Sequence, residues 1–256
     1  MKAILYDATL CINCKQCELA CAERNKLPYD DKIQAEQKQS AHKLTVVLER
    51  DGHFMRRLCM NCLDPSCASV CPVGAFQKSP LGPVTYDENK CMGCRYCMLA
   101  CPFGVPKYEW NSVLPRVRKC DMCADRIAEG RPTACTEVCP TGATKVGERD
   151  ELIAEARQRI RDNPSQYVNH IYGLEEVGGT SVLMLSGVPF ESFGFRTDLL
   201  HEPLPLLTYR VLSRIPDLVA VGSLLLGGIW WITNRREEVA QAEASSTHLP
   251  GRKQTP

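Results

Sequence analysis

Sixteen cysteines fall into four groups of four. The groups read CINCKQCELAC (Cys11, Cys14, Cys17, Cys21), CMNCLDPSCASVCP (Cys59, Cys62, Cys67, Cys71), CMGCRYCMLACP (Cys91, Cys94, Cys97, Cys101) and CDMCADRIAEGRPTACTEVCP (Cys120, Cys123, Cys135, Cys139). In the first and third groups, three cysteines at two-residue gaps precede a fourth, three residues on. A short loop of that spacing wraps three thiolates around one iron-sulfur cube and sends the fourth to another. The chemistry is one-electron transfer, and all sixteen cysteines are candidate ligands.

Disulfides and zinc are the rival uses of so many cysteines. A disulfide framework suits short secreted domains without a core, whereas this chain has 256 residues, 44% of them hydrophobic, and its cysteines are too bunched for pairwise cross-links. Zinc is the stronger rival, because C-x2-C knuckles bind it. Its sites close with four ligands, however, and have no use for the third cysteine in CINCKQC or CMGCRYC. A zinc-stabilised membrane scaffold stays as the reading from a different class.

The elements that must hold these loops show a repeat. YDATLCINCKQCELAC, from Tyr6, recurs as YDENKCMGCRYCMLAC, from Tyr86, with Tyr-Asp and Leu-Ala-Cys in register, and CPVGA from Cys71 matches CPTGA from Cys139. The expectation is an α+β fold: a duplicated head of roughly 150 residues, residues 1–150, with two clusters per half. LTVVLERDGHFMRRL reads as a β-hairpin turning at Asp51-Gly52. Strands are expected at residues 2–6 and 83–86. Residues 150–161 place Leu152, Ile153, Ala156 and Ile160 on one helical stripe. SVLMLSGVPF is an extended apolar stretch, either a core strand or, the favoured reading, a segment laid on a partner within a 151–214 linker. Clusters rather than core burial are expected to supply much of the folding free energy.

Proline after Cys71, Cys101 and Cys139 ends the preceding turn, because it donates no backbone hydrogen bond. Ala22 stands there in the first group. Lys15 and Arg95 occupy matching places between ligands, where a cation favours a reduced cluster, or are simply solvated.

The four-group order, with CPFGVPKYEW and GGTSVLMLSGVPF, resembles the iron-sulfur subunits of membrane-bound respiratory oxidoreductases. The likeness is nearest to the four-cluster subunit of Hyb-type nickel-iron hydrogenases and next to the beta subunit of formate dehydrogenases, and it spans about residues 5–193. In two-cluster ferredoxins the fourth cysteine of each motif crosses to complete the other cluster, and which groups are partners is not set by the spacing. The resemblance implies that the first group pairs with the fourth and the second with the third. One 4Fe-4S cluster would use Cys11, Cys14, Cys17 and Cys139, and its neighbour Cys120, Cys123, Cys135 and Cys21. The others would use Cys59, Cys62, Cys67 with Cys101, and Cys91, Cys94, Cys97 with Cys71. It further implies four 4Fe-4S clusters, a catalytic partner (a nickel-iron hydrogenase, or a molybdopterin enzyme such as formate dehydrogenase) and an integral membrane quinone-reactive subunit.

Residues 215–233, IPDLVAVGSLLLGGIWWIT, carry one charge, Asp217, and suffice to cross a bilayer, with Trp230 and Trp231 at an aromatic belt. Ser223 and Gly227 offer a small-residue face for a second helix. Arg235, Arg236, Arg252 and Lys253 follow the segment, against Arg210 and Arg214 before it, which puts the tail in the cytoplasm and the head outside. The N-terminus shows no export signal. The resemblance reconciles the two, since such subunits cross with a catalytic partner bearing the twin-arginine signal; a cytoplasmic head is the alternative. Residues 234–256 form a polar tail expected to be disordered. A net charge of +1 gives no basic field for nucleic acid. The five histidines are scattered without any hydrolase, phosphate-loop or dinucleotide motif, so the chain is expected to be non-catalytic.

Overall fold

A computed structural model describes residues 1–246. In chain order the strands are β1 (Lys2–Asp7), β2 (Val46–Arg50), β3 (His53–Arg57), β4 (Phe76–Lys78), β5 (Val84–Tyr86), β6 (Lys107–Tyr108), β7 (Val117–Arg118), β8 (Thr144–Glu148) and β9 (Val182–Leu185). The helices are α1 (Gln16–Arg24), α2 (Asp31–Ala35), α3 (Ser66–Ser69), α4 (Tyr96–Ala100), α5 (Ala124–Ala128), α6 (Ala134–Glu137), α7 (Arg149–Asp162), α8 (Leu204–Leu212) and α9 (Ile215–Ser246). The chain divides into two compact units, Met1–Leu206 and the residues from Leu207 on.

In the first unit, β1 sits between β8, antiparallel to it, and β9, parallel to it. Side chains alternate across a strand, and here the alternation separates two layers. Ala3 and Leu5 of β1, with Leu183 and Leu185 of β9, face Leu152 and Ala156 of α7. Ile4 and Tyr6, with Val182 and Met184, face a core that also contains Cys59, Cys120, Met55 and Tyr172. The sheet therefore divides the helix from the cysteine loops. Acidic Asp150 and Glu151 open α7 and Arg159 and Arg161 close it, which suits the helix dipole.

The favoured reading of SVLMLSGVPF is corrected by this arrangement. All four residues of β9 are fully buried inside the chain itself. Each face of the strand meets an apolar layer, so an unbroken hydrophobic run is needed, as is usual where a strand pairs in parallel.

The hairpin β2–β3 turns at Asp51 (φ 50°) and Gly52 (φ 74°), the two left-handed residues of a tight hairpin turn. Tyr6 donates its hydroxyl to the Phe54 carbonyl at 3.3 Å, and Arg57 donates to the Gly194 carbonyl at 2.8 Å, which ties the hairpin to the sheet and to the turn after Phe193. By contrast β4–β5 and β6–β7 are isolated pairs of three and two residues per strand.

In the second unit α9 has 32 residues, about 48 Å at helical rise. Leu224, Leu226, Trp230 and Trp231 are exposed along it. It is long and apolar enough to cross a membrane. The expected disorder after residue 233 does not hold for residues 234–246, which continue the helix. Asn234 and Arg235 bond Glu238 one turn on, and the alanine- and glutamate-rich sequence that follows favours helix. The rest of the tail, residues 247–256, lies outside the described residues.

Candidate metal centres

Backbone strain concentrates where the cysteines are. Among the described residues nine non-glycine residues have positive φ, and six of them (Asn13, Lys15, Asn61, Arg95, Met122, Cys123) lie within the cysteine groups. The residue two beyond the first cysteine is left-handed in every group: Asn13, Asn61, Gly93 and Met122. Such residues turn successive backbone N–H groups inward, making a concavity suited to an anion. Strain held by the surrounding fold in this way clusters at functional sites.

The fourth cysteines share a second device. Gly74, Gly104 and Gly142 each donate their N–H to the carbonyl of the Cys three residues before, at 3.2, 3.1 and 3.3 Å, closing a Cys-Pro-x-Gly turn. All three glycines have φ between 61° and 65°, a region that penalises any side chain. At Cys101-Pro102 this turn stops α4 at five residues, whereas Cys21-Ala22 lets α1 run through to Arg24, nine residues in all.

The thiols gather in sets. Cys59, Cys62, Cys67 and Cys101 line one hollow with Val84, Phe103 and Val105. Cys91, Cys94 and Cys71 are the cysteine neighbours of Cys97, beside Phe76 and Val117. Cys21 faces Cys135 and Cys123, and Cys120 faces Cys21 and Cys123. Cys17 faces Cys135 and Cys11, while Cys11 and Cys139 both pack half-buried on the core of Ile4, Tyr6 and Ala143. Cys14 is exposed. All sixteen are free of disulfides.

The donor set fits a polynuclear, anionic group. Among the described residues no three His, Cys, Asp or Glu side chains converge as one ion requires; zinc at about 2.3 Å would draw four sulfurs nearly into contact. Burial pushes the Cys17 and Cys67 thiols up to about 12 and Cys97 up to about 11, so their protons leave only against a metal's charge. At Cys139 burial is outweighed by hydrogen bonds from the Thr144 backbone and from Thr141, and the thiol falls below its usual value. Backbone amides also point at sulfur: Ala75 N donates to Cys71 Sγ at 3.2 Å and Met122 N to Cys120 Sγ at 3.4 Å. Such bonds tune a cluster's potential.

The cations expected beside ligands turn elsewhere. Lys15 donates to the Gln34 carbonyl at 3.3 Å. Arg95 lies over the rings of Tyr108 and Trp110, at 5.6 and 5.2 Å. Other cations among the described residues approach the thiols instead, Arg24 beside Cys123 being one. Arg56, 1% exposed, faces Cys135 and Cys17; Lys119 is close to Cys67; and Lys78 is close to Cys62 and Cys59. Burial lowers Lys78 to about 8. The sequence signal for Arg56 is faint: a charged residue at an inward position of the hairpin strand HFMRR. His201 is exposed, with Nδ1 3.2 Å from Glu175.

Residues 50–149 match the 4Fe-4S dicluster domain. A protein of Nitratidesulfovibrio vulgaris is 42% identical over 94% of this chain and 70% of its own length. Hydrogenase-2 operon protein HybA of Escherichia coli O157:H7 is 38% identical over 74% of this chain and 71% of its own. The iron-sulfur subunit of the nitrate-inducible formate dehydrogenase of Escherichia coli (strain K12) is 34% identical over 71% and 66%.

Proposed function

Because the chain belongs to the ferredoxin-type iron-sulfur electron-transfer subunits related to HybA and to the formate dehydrogenase iron-sulfur subunits, we propose that it holds four 4Fe-4S clusters as a relay between a catalytic subunit and a quinone-reactive membrane subunit. When bound, each cluster would take up and release one electron. The chain's own work is to fix the cubes in place, exclude water and set the charge around them.

The ligand sets of the relay are Cys11, Cys14, Cys17 with Cys139; Cys120, Cys123, Cys135 with Cys21; Cys59, Cys62, Cys67 with Cys101; and Cys91, Cys94, Cys97 with Cys71. The observation that carries the reading is the crossing of neighbours. Cys101 stands with the second group's thiols and Cys21 with the fourth's, although each lies in another group of the sequence. Sixteen thiols in four such sets correspond to about sixteen iron atoms. A duplicated head accounts for the matched left-handed residues Lys15 and Arg95, which cap α1 and α4 in the same way.

A nickel-iron hydrogenase is the first choice of catalytic partner, supported by the greater identity to HybA than to the formate dehydrogenase subunit. A molybdopterin enzyme is the second. α9 anchors the chain, its aromatic end at Trp230 and Trp231 leading into Arg235 and Arg236, and the head faces outward from the cytoplasm. Elemental analysis of the intact detergent-solubilised complex tests the partner. Nickel with iron is expected; molybdenum or tungsten moves the chain to the second reading, and zinc without iron overturns both. Truncation after Arg214 is expected to leave cluster binding intact and to release the head from membranes that lack the partner subunits. Retention on those membranes rules out the anchor.

A further inference from the structure

The buried charges of the head are of two kinds. Glu18 and Lys43, both almost wholly enclosed, neutralise each other at 2.8 Å, and Glu18 also accepts from Val47 N at 2.6 Å. Arg56 has no such partner. Its Nε donates to Thr45 Oγ1 at 2.8 Å and its Nη1 to Thr144 Oγ1 at 3.0 Å, and both partners are neutral. A guanidinium taken out of water needs a counter-charge nearby. The groups that face it are sulfurs: Cys135 first, then Cys17 and Cys120. Cys17 belongs to the first group and Cys135 and Cys120 to the fourth. Arg56 thus stands between two cluster sites, fixed by two hydroxyls on β3's inward face.

We propose that Arg56 is a positioning charge that raises the reduction potentials of the first-group and fourth-group clusters together. The inference rests on the four-cluster reading above. One-electron reduction adds one negative charge to a cluster, and a fixed cation in a low-dielectric site stabilises the more negative form. A guanidinium stays protonated at all working pH, so the bias is permanent. Among the described residues the third-group site has no such buried guanidinium, since Arg95 is stacked on its aromatic rings and Lys90 is exposed near Asp87 at 3.6 Å, whereas the second group has lysines beside it, Lys119 near Cys67 and Lys78 near Cys62 and Cys59.

The test is a potentiometric titration of the iron-loaded complex, followed by low-temperature EPR, with iron counted in parallel. In Arg56→Gln two of the four signals are expected to move to lower potential and two to stay. Arg56→Lys, which keeps the charge, is expected to stay near the wild-type values. Thr45→Asp sets a carboxylate against the guanidinium and is expected to shift the same two signals downward, with the Arg56 side chain still in place. Unmoved potentials in a fully loaded Arg56→Gln or Thr45→Asp protein overturn the proposal. So does failure of both to retain iron while Arg56→Lys retains it, which makes the cation an assembly requirement only. A wild-type iron count far from sixteen, or fewer than four signals, strikes the four-cluster reading instead.

Discussion

The two ends of the head house similar loops in unlike surroundings. Around the first and fourth groups stand the three-stranded sheet and the hairpin β2–β3, with Tyr6, Met55 and Arg56 almost fully enclosed. The second group shares that core through Cys59, and around the third group the strands shrink to β4–β5 and β6–β7. There Met92, Leu99, Trp110, Val113 and Leu114 are exposed, Leu99 at 85% and Val113 at 98%. Ligand spacing is set by the cube, which is the same size everywhere. What encloses the cube is set by how many apolar elements the chain brings alongside. The main core therefore lies beside the first, second and fourth groups, and the third group has only a small cluster of Phe76, Val84 and Val117.

Removing iron should separate the ends most strongly. Under reduction and chelation, amides of residues 59–118 are expected to exchange freely while those of β1, β8 and β9 remain protected for longer, as followed by hydrogen-exchange mass spectrometry. Uniform loss of protection would break the comparison. Next come the ligands that cross between groups. Cys139→Ser is expected to abolish the first-group cluster and Cys101→Ser the second-group cluster, each lowering iron by about four atoms per chain. Mössbauer or EPR spectra that change only at the substituted residue's own group would show the pairing to be local.

Core substitutions sharpen the contrast with smaller effects. Leu183→Ala in β9 is expected to cost about 2–5 kcal/mol, and Val84→Ala in β5 about 1–2 kcal/mol by loss of its two methyl groups. Urea titration of the loaded head reads both, and an equal cost would remove the distinction between the ends. The smallest effect belongs to His170 and Glu176, paired at 2.6 Å on the loop beside β9. The hydrogen bond to Glu176 lifts His170 above its ordinary 6.5, against the downward pull of burial. Burial pushes Glu176 up, but the His170 bond and the backbone N–H groups leave it below its ordinary 4.5. The histidine's contribution is complete below 6.5 and is lost as pH rises through its folded value. The glutamate's is complete above 4.5 and is lost as pH falls through its folded value. A melting-temperature profile with a shallow maximum between these limits is expected, and His170→Gln should flatten its alkaline side.

Much of this was legible in the residues. The hairpin was marked by Asp51-Gly52, which alone in that stretch reaches two positive φ values easily. α7 was marked by the stripe of Leu152, Ala156 and Ile160, and β1 by its short apolar run. β9 was misplaced because an unbroken apolar segment looks the same whether a partner or the chain's own sheet covers it. Helix beyond residue 233 was missed because polarity alone does not distinguish a solvated helix from a coil. Arg56 carries a fainter signal than Lys15 and Arg95, because it is adjacent to the cysteines in space and not in sequence.

The sequence by itself determined the iron-sulfur chemistry and a helix long and apolar enough to cross a membrane, since cysteine spacing and the length of an apolar helix are local quantities read within a few turns of chain. Tertiary structure alone decided which cysteines face one another, which cations are buried against them and how unequally the two ends are enclosed. Those depend on burial and on contacts between segments more than a hundred residues apart, such as Arg56 beside Cys135 and β1 beside β9. No local pattern encodes such a distance.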